Sequence, residues 1–237
     1  MKELRPINPQ ISEEEMRDYG EMYFFIKGYA MGKKYYRTLT ALAVGRICHM
    51  GQKRRLVIDE KGEEVMHPYF RHCLSVCSFL IALDLSMTDD MLDIMYAAAL
   101  LHDTIEDCKM TGENGEGLLD MGIPMEVVEK VRLLSKQSGA DEYALSEYFN
   151  EIKKDPITLM IKLADRLDNT DTLYTFKTLT KMKKYITETE TWVLPLCTYG
   201  KEHYPYLSNA ITILKSGIRV NIATIRAILH GLMASKE

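Results

Sequence analysis

Residues 98–107 read AALLHDTIED, an apolar helical run that changes abruptly into one histidine and three carboxylates. At 100° per residue on an α-helix, with His102 at zero, Glu106 falls at about 40°, Asp103 at about 100° and Asp107 at about 140°. All four polar groups then share one face. Ala98, Leu101 and Ile105 lie to its other side, where they pack. Burying three carboxylates unpaired is prohibitive. A divalent cation resolves the conflict, and His plus Asp suit a borderline or hard metal. A solvent-facing polar end of an amphipathic helix is the simpler alternative for this segment taken alone.

Working outward, the same helical periodicity continues through nearly the whole chain. Ser12 with Glu15 has the form of a capping box and opens a first helix running to about Gly32. A second helix covers 34–50, within KKYYRTLTALAVGRICHM. Residues 51–66 are charged and glycine-bearing and predict a loop or short hairpin. Helices follow at about 67–83, 88–107, 124–136, 141–154, 156–174, 178–200 and 205–234. Asp155-Pro156 supplies an N-cap followed by proline at the first helical position. The expected architecture is all-α, without a linker rich enough in Pro, Gly or Ser to separate a second domain.

Composition narrows the function classes. The chain has 237 residues, 46% hydrophobic and 27% charged, with a net charge of −4. That balance argues against a broad nucleic-acid surface. No apolar stretch reaches the roughly 18 residues of a membrane span, and the N-terminus lacks the apolar core of a secretory signal. A cytoplasmic protein is expected, with no nucleic-acid or membrane partner. The five cysteines are odd in number and form no CxxC, so buried thiols are expected rather than disulfides. A zinc shared by Cys73, Cys77 and nearby histidines is the alternative.

Two further segments favour a metal site at 102–107. In GEEVMHPYFRHCLSV (62–76), His67 precedes Pro68 where a helix is expected to begin. In TLMIKLADRLDNTDTL (158–173), Asp165 ends an apolar run, with Asn169 and Thr172 on the same face. Together the segments supply His67, His102, Asp103 and Asp165. Such a donor set leaves octahedral positions open for water and substrate.

The order H…HD…D resembles the HD superfamily of metal-dependent phosphohydrolases. GQKRR, GEEVMHP, ALLHDTIED and IKLADRLDN are similar to signatures of the RelA/SpoT alarmone hydrolase domain and its small, hydrolase-only relatives. There the corresponding forms are AHxGQxR, GxPYxxHP, LLHDxxED and KLADRLxN. The resemblance spans roughly 41–200. It implies a single HD-domain helical bundle, preceded by a helical extension (1–40) and completed by a C-terminal helix (201–237).

The resemblance further implies that His67, His102, Asp103 and Asp165 bind one Mn²⁺, or another divalent transition metal. Glu106 and Asp107 then position and deprotonate the attacking water. Lys53, Arg54, Lys162, Asn169 and Thr172 contact a small-molecule nucleotide. A nearby cation and the metal would stabilise charge on phosphoryl oxygens. The implied reaction removes the 3′-pyrophosphate of (p)ppGpp.

Departures from the pattern lie at Val65, where an aromatic is lost, at Asp168, where histidine is common, and at Asp171, where arginine often follows. The two aspartates add negative charge beside a phosphate pocket. Another nucleotide (a dNTP, NADPH or a nucleoside monophosphate) is therefore the alternative substrate, and a non-catalytic nucleotide-binding regulator the alternative role. Trp192 stands near a base-stacking tyrosine of the family, or anchors the core. With about 35 residues beyond the match, no synthetase domain is expected. The isoleucine-rich tail is expected to close the bundle, with self-association into an oligomer as the alternative.

Overall fold

A computed structural model describes residues 12–58, 64–136, 139, 141–173 and 178–234. The order is α1 (Glu13–Lys33), α2 (Tyr36–Cys48), β1 (Lys53–Ile58), β2 (Glu64–Pro68), α3 (Phe70–Ala82), α4 (Asp89–Leu101), α5 (Thr104–Asp107), α6 (Glu116–Asp120), α7 (Met125–Leu134), α8 (Glu142–Ile152), α9 (Pro156–Asp171), α10 (Leu179–Glu188), α11 (Leu194–His203) and α12 (Ser208–Ala234). The fold is all-α, carrying one two-stranded sheet, β1-β2, where the charged 51–66 segment predicts a loop or hairpin. Among the described residues no helix is long and apolar enough to cross a membrane.

The chain forms two compact units, one from 1–54, 67–78 and 88–135, the other from 55–66, 79–87 and 136–237. In the first, α4 is buried on every side from Leu92 to Leu101, as expected of a helix without a polar face. It packs against α2 and α7. Asp93 is the polar exception within α4. Helix α2 has no side-chain cap of its own. Asp93 supplies one from outside, accepting from the Thr38 N–H at 2.9 Å, the Thr38 hydroxyl at 2.7 Å and the Arg37 N–H at 3.2 Å.

Helix α1 begins as predicted. The Ser12 hydroxyl accepts from the Glu15 N–H at 3.2 Å, and the Glu15 carboxylate accepts from the Ser12 N–H at 2.9 Å. That carboxylate also clamps buried Arg46 of α2 through two bonds, at 2.9 Å and 2.6 Å. The Arg46 guanidinium therefore holds the Glu15 carboxyl down at about 2.

In the second unit, α9 starts on the predicted cap, with Asp155 accepting from the Ile157 and Thr158 N–H groups at 2.9 and 3.0 Å. Helix α9 packs along α12. The apolar stripe of α12, Ile218, Ile222, Ile225 and Leu229, joins Leu173, Met182 and Ile186 in one buried cluster. The isoleucines of the tail thus close the core of their own unit.

Two predicted helices are broken. The segment 88–107 ends as α4 at Leu101 and resumes as α5, so His102 and Asp103 lie on a turn rather than on a continuous wheel. Side-chain bonds hold that turn. The Thr104 hydroxyl donates to the Leu101 carbonyl at 2.7 Å, and the Thr111 hydroxyl donates to the Thr104 carbonyl at 3.0 Å. The segment 178–200 contains a π-helical turn at Thr189–Val193 between α10 and α11. Pro195, near the start of α11, has no N–H to continue an α-ladder.

Two measurements test this packing. A Cβ at Gly45 would sit 2.7 Å from the Leu100 carbonyl oxygen and 2.7 Å from the Phe70 ring. Alanine's better helix propensity, worth up to ~1 kcal/mol, loses to overpacking of about 1–3 kcal/mol. Gly45→Ala is expected to lower the denaturant midpoint. Because the Glu15 pKa is depressed, its contribution to stability is complete above the ordinary carboxylate range. It is lost as pH falls from about 4.5 to about 2. Glu15→Gln is expected to be less stable than the parent at neutral pH, with the gap closing across that window in acid unfolding curves.

Candidate metal centre

The buried Leu92–Leu101 stretch of α4 leads directly into His102 and Asp103, and the first turn of α3 delivers His72. The ligand atoms of His72, His102 and Asp103 all lie within 4.8 Å of one another. Both histidines are buried, and their rings meet edge to face at 5.1 Å. Asp103 Oδ2 lies 3.3 Å from His102 Nε2 and 3.6 Å from His72 Nε2. The same oxygen accepts from the Tyr69 hydroxyl at 2.7 Å.

The donor chemistry fits a cation. His102 Nδ1 lies 2.8 Å from the Ala99 carbonyl, an acceptor only, so Nδ1 carries the proton. Nε2 is then the ring nitrogen that faces the Asp103 carboxylate. Two imidazoles and a carboxylate, with one imidazole oriented by a backbone carbonyl, form a set that suits a divalent transition metal.

Around the cluster lie residues that the sequence reading did not assign. The His49 ring stacks on Tyr69 at 4.9 Å, and its Nδ1 contacts the Gln52 amide oxygen at 2.8 Å. The Gln52 amide in turn donates to the Asp107 carbonyl at 2.8 Å. Burial raises the Cys73 thiol, but His49 and His102 outweigh it and bring the thiol down to about 6. Burial, with the Asp103 charge behind it, pushes the Tyr69 phenol far up, so Tyr69 is a neutral donor to Asp103. All five cysteines are free and buried, as expected. None belongs to a three-donor group among the described residues, which leaves the alternative zinc on Cys73 and Cys77 without support.

The structure does not bring His67 into this cluster. His67 lies on β2 and places its Nδ1 3.0 Å from the Asp18 carboxylate of α1. His72, five residues later, shares the cluster with His102 and Asp103. The signal was present: Pro68-Tyr69-Phe70-Arg71-His72 fits the form PYxxH, with Cys73 where proline usually follows. Likewise Cys48–Arg54, CHMGQKR, fits AHxGQxR and marks both His49 and Gln52. In the correct register the aromatic is Tyr69, so Val65 is no departure. The side chains of Arg55 and Val65 lie outside the described residues.

Glu106 and Asp107 are exposed on α5, one turn past Asp103. Lys53 is exposed on β1 and pairs with Glu14 of α1 at 3.1 Å, and the half-buried Arg54 follows it. In the second unit Asp165 is buried on α9, 3.1 Å from Lys162 Nζ and hydrogen-bonded by the Asn169 amide. Burial alone would lower the Lys162 pKa, but Tyr148 and Asp165 outweigh it and hold it up. Thr172 stands at the C-terminus of α9, with Asp168 half-buried and Asp171 exposed. Trp192 stacks on Phe149 at 5.9 Å and lines a cavity of about 240 Å³ with Asn150, Lys153 and Tyr199.

No protein-family model matches the chain. It is 32% identical over 142 residues to the guanosine-3′,5′-bis(diphosphate) 3′-pyrophosphohydrolase of Aquifex aeolicus, covering 58% of this chain and 19% of that protein. It is 34% identical over 142 residues to the bifunctional (p)ppGpp synthase/hydrolase SpoT of Escherichia coli, covering 58% and 18%. The chain thus spans about a fifth of the length of these curated relatives. A solved structure described as a metazoan ortholog of SpoT that hydrolyzes ppGpp matches in fold, with a TM-score of 0.55 and 21% identity over 79% of this chain and 94% of that one. Over those 142 residues the chain is similar in sequence to RelA/SpoT alarmone enzymes, and its helical fold is similar to that of the metazoan structure.

Proposed function

We propose that the chain is a metal-dependent (p)ppGpp 3′-pyrophosphohydrolase. The observation that carries this reading is the convergence of His72, His102 and Asp103 at the HDxxED segment of a chain related to a named 3′-pyrophosphohydrolase. His72, His102 and Asp103 hold the metal, Mn²⁺ or another divalent transition ion. Asp165 of the second unit is a further ligand candidate on the strength of its KLADR motif alone. A divalent ion held there would supply Lewis acidity, making a water more acidic and drawing charge from phosphoryl oxygens.

The protein's own groups do the rest. Tyr69 and the Ala99 carbonyl orient Asp103 and His102. Glu106 or Asp107, exposed one turn beyond, takes a proton from the attacking water, a role typically worth 10²–10⁴-fold. Gln52 ties the α5 backbone to the His49–Tyr69 stack and so fixes where those carboxylates stand. Lys53, Arg54, Lys162, Asn169 and Thr172 are the candidate nucleotide contacts. The setting is taken to be cytoplasmic, where the nucleotide is found.

With Mn²⁺ added, the protein is expected to convert ppGpp to GDP and pyrophosphate, resolved by ion-exchange chromatography. Orthophosphate as the product, or turnover of dNTPs or NADPH but not ppGpp, would point to another branch of HD phosphohydrolases. Tight ppGpp binding with no product over hours would make the chain a binding regulator.

The histidine assignment is separable. His72→Ala is expected to lose 100-fold or more in turnover, on the order of the rate loss when a machinery residue is removed. It should also abolish the rise in Tm on adding Mn²⁺ to chelator-treated protein. His67→Ala is expected to keep both. The reverse pattern would return the ligand role to His67.

A further inference from the structure

The second unit carries a cationic groove that the proposed chemistry does not use. Helix α12 runs for 27 residues without one Asp or Glu, in a chain whose net charge is −4. Its inner stripe is spent on the core. On its outer face Thr212, Lys215, Ser216, Arg219 and Ala223 follow at spacings of three and four, the spacing that aligns side chains along one helix surface. Lys201 of α11 faces them, and together they line a groove of about 470 Å³ with Val220 in its wall.

A solvated basic face usually distributes its charge over neighbouring carboxylates. On this same helix Arg226 does so, bonding Glu190 at 2.7 Å. Lys201, Lys215 and Arg219 make no ion pair among the described residues. Three like charges gathered in a concave site repel one another, and an anion that bridges them relieves that repulsion. Two hydroxyls, Thr212 and Ser216, flank the cations. Thr212 donates its proton to the Ser208 carbonyl at 2.7 Å, which leaves its oxygen lone pairs facing out. The apolar wall of Val220 and Ala223 suits a ligand whose anionic end is attached to a less polar body.

We propose that the groove between α11 and α12 is a second anion site, taking the phosphate or pyrophosphate group of a soluble small molecule on Lys201, Lys215 and Arg219. It is built wholly from one unit and shares no residue with the candidate metal centre. It therefore stands or falls independently of the hydrolase reading.

The test uses the full chain carrying Asp103→Ala, in the presence of EDTA, so that binding at the metal centre is silenced. Inorganic pyrophosphate is titrated and followed by amide NMR shifts. Saturable shifts confined to Lys201 and Thr212–Ala223 are expected. In Lys215→Gln/Arg219→Gln the affinity should fall roughly tenfold, as loss of two modest charge interactions implies. The charge-keeping pair Lys215→Arg/Arg219→Lys should restore most of it. Shifts located elsewhere, no saturation at millimolar pyrophosphate, or an unchanged affinity in the glutamine variant would overturn the site. A parallel arm uses phosphatidylglycerol vesicles. Vesicle binding with pyrophosphate silent would replace the soluble ligand by a lipid surface and also overturn the proposal.

Discussion

One carboxylate organises the candidate centre. Asp103, itself half-buried, follows a helix whose last ten residues are all buried. Its Oδ2 is met by a phenol hydroxyl at 2.7 Å and by two imidazole nitrogens at 3.3 and 3.6 Å. Only the phenol is an unambiguous donor. Because His102 Nδ1 faces the Ala99 carbonyl, Nε2 is the nitrogen turned to Asp103. The buried end of α4 thus sets a carboxylate beside two imidazoles, a donor set that suits a divalent cation.

The rest of the first unit supports that placement. Asp93 on the same helix caps α2 across the interface, and Gly45 of α2 lets the two backbones approach. From α2 the support passes through His49, stacked on Tyr69, to the hydroxyl that holds Asp103. Helix α1 closes the outer side. Glu15, Glu14 and Asp18 engage Arg46, Lys53 and His67 in turn. His67 thus joins β2 to the first helix through Asp18.

The parts legible in the sequence were those governed by local rules. Helix starts at Ser12 and Asp155 follow from cap chemistry within three residues, and the all-α architecture follows from periodicity. The HD pair and the KLADR run were legible as motifs. Features set by tertiary contact were not. A cap on α2 supplied by Asp93, 55 positions away, leaves no local trace. The break at His102 depends on a threonine hydroxyl competing for the Leu101 carbonyl, and helical periodicity does not register it. His67 and His72 are separated by register: an HP pair stands one residue before a PYxxH, and only the latter's histidine joins the cluster. A strand end and a helix start lie within those few residues, so a five-residue shift exchanges the Asp18 contact for a place in the cluster.

The distribution of charge gives the two units different characters. In the first, Arg46 and Lys53 are met by carboxylates of α1. Glu15 illustrates the order of strength: its bidentate bond to a buried guanidinium depresses its pKa to about 2, while the Glu14–Lys53 pair is exposed and worth little. A polyanion would displace the second pairing readily and the first hardly at all. In the second unit Asp165 is compensated by Lys162 and Asn169, yet Lys201, Lys215 and Arg219 gather without acids. An acidic chain that leaves three cations together in one groove, while pairing cations elsewhere, has its positive potential concentrated where no core contact requires it. Such a potential acts on anions in solution, and it is the feature of this fold that the hydrolytic reading alone does not explain.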